Sequence, residues 1–109
     1  LSDAAAIIAA RLAELWRTSR PSILERVAAL HAAHDALFRN PEDAEARSQG
    51  REAAHKLSGV LGVFGLPQGS ELAFTIESLL MSGNPLTPED VIWLGEQIEA
   101  LDAVIALKG

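Results

Sequence analysis

His55 is the residue of this chain whose neighbours depart most from what helix stability alone would select. It sits in Arg51-Glu-Ala-Ala-His-Lys-Leu-Ser-Gly-Val-Leu-Gly-Val-Phe-Gly65, where Ala53, Leu57, Val60, Leu61 and Phe64 recur at helical spacing. At about 100° per residue, Gly59 and Gly62 fall on the side of His55, while the apolar stripe points largely elsewhere. A glycine inside a helix costs about 1 kcal/mol relative to alanine. The stretch therefore gives up stability to leave bare space beside an imidazole that stands outside the stripe. Arg51 lies one turn before the ring and Lys56 directly after it, so an anionic group there would meet positive partners. An imidazole titrates near about pH 6.5, and much of it is neutral and nucleophilic at pH 7. These features suit covalent chemistry in which the histidine itself takes up a group.

Other chemistries find less support. His31 and His34 are three apart, but no acid or third histidine is spaced to complete a metal site, and no metal is expected. Trp16 and Trp93 read as core or bundle-edge residues, and Glu96, Glu99 and Asp102 as the solvated face of the last helix. No glycine-rich phosphate loop follows a strand, and no Ser-His-Asp arrangement or nucleotide site is present. The absence of cysteine excludes disulfides and thiolate metal centres, and a reducing, cytoplasmic setting is the simplest fit. A net charge of −6 argues against nucleic acid as the main partner. No apolar run approaches the roughly 20 residues of a membrane span, and no signal-peptide pattern is visible.

The elements that must position His55 are all helical. With 109 residues the chain is expected to be one domain, residues 1–109, and its start at Leu1 reads as a segment of something longer. Ser2 or Asp3 can cap a first helix to about Arg17, with Ile7, Ile8, Leu12, Leu15 and Trp16 as its apolar residues. Thr18-Ser19-Arg20-Pro21 predicts a break, and a second helix with Ile23, Val27, Leu30, Leu37 and Phe38 runs to about Arg39. Asn40-Pro41 ends it. A third helix is expected over 42–64, with Glu42 and Asp43 at its positive end and Gly65 as a left-handed cap. A fourth spans about 67–81, with Leu72, Ala73, Ile76, Leu79 and Leu80 inward. Thr87-Pro88-Glu89-Asp90 then starts a last helix to about Leu107. Short connections make neighbours antiparallel. The expected fold is all-α, an antiparallel up-down four-helix bundle with an additional N-terminal helix packed across one end or side.

Ala54-His55-Lys56-Leu57-Ser58-Gly59, then Phe64-Gly65, then Leu72 and Glu77, resembles the signature of histidine-containing phosphotransfer (HPt) domains. The match covers about thirty residues directly, and the helical plan of the whole chain agrees with it. The resemblance implies that His55 accepts a phosphoryl group from a receiver domain's aspartyl phosphate, or passes one to it. It implies partners that are response-regulator receivers or histidine kinases, and Mg²⁺ on the receiver, not on this chain. Relatives place a Glu or Gln at the position of Glu77, where it hydrogen-bonds the imidazole. A carboxylate accepting from Nδ1–H would leave Nε2 free to attack. Where the family often has lysine three residues after the histidine, this chain has Ser58, so Lys56 or Arg51 is the expected substitute cation.

On this reading the chain is a carrier without a nucleotide site of its own, a monomer, with Gly59 and Gly62 giving clearance to a docking partner. Val63, Leu66 and Leu61 are the expected apolar part of that contact. Two alternatives stay open on the sequence. One is a non-catalytic helical interaction or dimerisation module whose glycines mark a close helix crossing. The other is the phosphotransfer domain of a chemotaxis-type kinase. Exposure of His55 separates the first from the carrier.

Overall fold

A computed structural model of the chain describes residues 2–109, the Ser2 side chain excepted. Four helices follow one another: α1 (Ser2–Arg39), α2 (Ala44–Val63), α3 (Pro67–Met81) and α4 (Pro88–Lys108). They pack in the cycle α1–α2–α3–α4–α1. Each neighbour runs antiparallel to the last: Gly50 of α2 approaches Ala33 of α1, Ser70 of α3 reaches Ser58 of α2, Gly69 of α3 meets Val104 of α4, and Trp16 of α1 meets Gly109. The all-α up-down bundle is thus the observed fold. Among the described residues no helix is long and apolar enough to cross a membrane.

The expected break at Thr18–Pro21 does not divide the chain. α1 passes through Pro21 as one helix of 38 residues, about as long as the molecule's 54 Å axis. Proline removes one i to i−4 hydrogen bond, but the buried stripe Trp16, Ile23, Val27, Leu30, Ala33, Leu37 keeps helical spacing on both sides of it, with Pro21 itself exposed. Tertiary packing on that stripe outweighs the local breaker. The first segment accordingly does not fold back across the bundle. It continues the axis of α1, and Ile7, Ile8, Leu12 and Leu15 remain exposed. Of its two expected caps, the Ser2 side chain lies outside the described residues and Asp3 falls within the first turn. Phe38, expected inward, is 71% exposed, because the stripe closes on Leu37 and leaves Phe38 about 100° away.

The other boundaries follow the local chemistry. Asp43 is the N-cap of α2, its carboxylate accepting from Ala46 N at 3.0 Å. Gly65 takes φ 71°, and its N–H reaches Gly62 O while Leu66 N–H reaches Leu61 O, a paired closure of the last turn of α2. Thr87 and Asp90 exchange side-chain-to-backbone bonds at the start of α4. At the end of the bundle where α2 and α4 finish, Trp16 packs edge-on against Phe64 at 5.3 Å and donates its indole N–H to Gly109 O at 3.0 Å.

Candidate functional site

His55 lies three turns into α2, beside α3. Ala54 and Leu57 on either side of it in sequence are fully buried, which fixes the helix rotation and turns the imidazole outward. The His55 side chain is 72% exposed, whereas that of Glu77 is 13% exposed. Their Nδ1 and Oε2 atoms are 2.7 Å apart, a short, charge-assisted distance. Glu77 owes its position to Ala73, Ile76 and Leu80, whose burial against the core sets it at the α2–α3 seam. With Nδ1 donating to the carboxylate, Nε2 carries the lone pair, and among the described residues it has no hydrogen-bond partner.

Arg51, Glu52, Met81, His55 and Glu77 line a hollow of about 380 Å³. Arg51 is exposed there and, among the described residues, forms no ion pair. Lys56 stands elsewhere. Its ammonium lies 3.1 Å from Glu52, and the residue borders the α1–α2 groove with Ser22, Arg26 and Gln49. Adjacency in sequence placed it next to His55, but one residue is about 100° around the helix axis. The Ser58 hydroxyl donates to His55 O at 2.9 Å, so it is spent on the backbone of its own helix.

The glycines divide by what surrounds them. A Cβ at Gly59 would meet nothing within 4 Å, and one at Gly62 only Ser70 Oγ at 3.8 Å. They do not mark a helix crossing; that role belongs to Gly50 and Gly69, whose added Cβ atoms would press on Leu80 and Leu61. Of the three residues expected to make the apolar part of a contact, Val63 is exposed and Leu66 half-buried. Leu61 is fully buried in the core and is no surface residue. Its spacing from Leu57 and Phe64 puts it on the inner stripe.

Arg47 was not singled out by sequence reasoning. Its guanidinium donates to Leu80 O (2.8 Å), Asn84 O (2.7 Å), Leu79 O (3.4 Å) and Ser82 Oγ (3.3 Å). It thereby satisfies the carbonyls that end α3, one turn beyond Glu77. The only signal was indirect: α3 has no basic residue in its own last turn. The other histidines are structural. His31 Nε2 pairs with Asp102 at 2.7 Å, which removes Asp102 from the purely solvated face, and His34 Nε2 donates to Val91 O at 3.0 Å over Gly95. No group of three His, Asp or Glu residues that could hold a metal ion occurs among the described residues.

The family model described as "Hpt domain" matches residues 11–104. Protein RcaC of Microchaete diplosiphon is 29% identical over 100 residues, which is 92% of this chain and 15% of that protein. The chain thus spans under a sixth of the length of this curated relative. No solved structure matches the chain.

Proposed function

Because the chain belongs to the Hpt domain family, we propose that it carries phosphoryl groups in two-component signalling, with His55 as the residue that takes them. The observation that carries the proposal is the exposed imidazole held at Nδ1 by the Glu77 carboxylate. The Nε2 lone pair attacks the phosphorus of a receiver domain's aspartyl phosphate, the bond from phosphorus to the aspartate oxygen breaks, and the carboxylate leaves with the electron pair. The imidazole becomes positively charged as the N–P bond forms, and the Glu77 carboxylate, accepting from the Nδ1–H that stays on the ring, stabilises that charge. The reverse step returns the group to an aspartate. Positioning and charge neutralisation do most of the work in such transfer, and the receiver supplies the Mg²⁺.

Arg51 is the cation that meets the phosphoryl oxygens. It shares the hollow with His55 and has its guanidinium uncommitted, whereas Lys56 is held by Glu52 and Ser58 by a backbone carbonyl. Gly59 and Gly62 supply clearance for the approaching domain, and Val63 and Leu66 its apolar contact. The exposure of His55 and the open space at both glycines weigh against a module whose histidine is incidental.

Incubation with a phosphorylated receiver domain tests the reading. The expected result is an acid-labile, base-stable label on His55, absent in His55→Gln with the helical circular dichroism unchanged. Undiminished labelling of His55→Gln would overturn it.

A further inference from the structure

The net charge of the chain is not spread evenly. Residues 1–63 carry eight acids and eight bases, whereas residues 64–109 carry seven acids and one base, so the whole −6 belongs to the α3–α4 half. The one base, Lys108, is drawn over the Trp16 ring at the C-terminal end of α4. α3 packs far more closely on α2 than on α4, and the looser seam leaves a groove. Its first part, about 630 Å³, has Leu72, Phe74, Trp93 and Val104 as apolar lining, with Glu71 at the edge. A second part of about 640 Å³ shares Thr75 and Trp93 and is edged by Glu89 and Asp90. Neither Glu71 nor Glu89 forms an ion pair among the described residues.

We propose that this α3–α4 groove docks a cationic amphipathic helix, seated on Trp93 by its apolar stripe and held by Lys or Arg residues against Glu71 and Glu89. From Gln68 to Leu79 the groove follows α3 for about 16 Å, three helical turns, the length over which an i, i+3/i+4, i+7 set of anchors repeats. The charge selects the occupant. A second copy would bring the same acids to the seam, and an anionic membrane or nucleic acid would be repelled. The groove shares no residue with the His55 hollow, so the docked helix and the phosphoryl group occupy separate faces of α3. The proposal stands whether or not His55 is phosphorylated.

The test is a titration of the ¹⁵N-labelled chain with a synthetic peptide about three turns long, with Leu at i, i+3, i+4 and i+7 and Lys elsewhere. A Leu/Glu peptide of the same pattern and a Leu/Lys peptide of scrambled order serve as comparisons. The expected result is shifts centred on the Trp93 indole and the Thr75 and Gln97 amides with the patterned Leu/Lys peptide, and binding at least tenfold weaker in the Glu71→Lys/Glu89→Lys variant. Equal binding of the scrambled or Leu/Glu peptide, or shifts that bypass Trp93, would overturn the proposal.

Discussion

His55 Nδ1 and Glu77 Oε2 meet at 2.7 Å across the α2–α3 seam, the ring in solvent and the carboxylate largely withdrawn from it. A hydrogen bond to a charged group contributes about 1.5–3 kcal/mol, and partial exposure places this one at the low end. Glu77→Ala should therefore slow transfer by about tenfold, while Glu77→Gln, whose amide oxygen can still accept from Nδ1–H, keeps most of the rate. Imidazole ¹⁵N shifts check the cause. The Nδ1–H tautomer should lose population in Glu77→Ala, and an unchanged tautomer ratio would reduce Glu77 to a packing residue.

Arg51 and Lys56 separate cleanly. Loss of one charge-assisted contact predicts about tenfold slower phosphoryl transfer for Arg51→Ala, with Lys56→Ala near the parent rate because Lys56 borders the α1–α2 groove. Stopped-flow transfer from a labelled receiver distinguishes the two, and the opposite ranking would return the phosphate-binding role to Lys56.

Substitution of glycines should split stability from docking. Gly59→Leu and Gly62→Leu enter open space and gain up to about 1 kcal/mol of helix propensity, so melting temperature should hold or rise while receiver affinity falls. Gly95→Ala should do the reverse. Its Cβ would come within 2.7 Å of His34 Nε2, so the His34 bond to Val91 O is displaced and the melting temperature drops with transfer intact.

Pro21→Ala should stabilise the chain. The ring sits exposed within a continuous helix, and an interior proline is about 3 kcal/mol less favourable than alanine. Thermal melting should move upward by several degrees, and an unchanged or lowered midpoint would mean that α1 has already adapted to the missing donor.

Much of this was legible in the residues. Capping chemistry at Asp43, Gly65 and Thr87 announces the ends of α2 and the start of α4, because those signals act within one turn of the chain. His55 and its glycines stand out by type, whereas Glu77 enters only through the resemblance to the phosphotransfer signature. What escaped notice depends on three dimensions. Pro21 is a local breaker overruled by a stripe that continues across it. Lys56 is next to His55 in sequence and a quarter-turn or more away in space. Arg47 binds mainly backbone carbonyls, which every sequence possesses and which therefore leave no pattern.

The long first helix carries a consequence of its own. From Trp16 onward α1 is held by the core, whereas Ile7, Ile8, Leu12 and Leu15 lie exposed outside the core. An unsupported helical segment of fewer than about 15 residues is marginal in water. Amide hydrogen exchange should accordingly find two cooperative units within one geometrically continuous rod. Protons before Trp16 leave by local fraying, and those around Val27 and Leu30 only when the whole bundle opens.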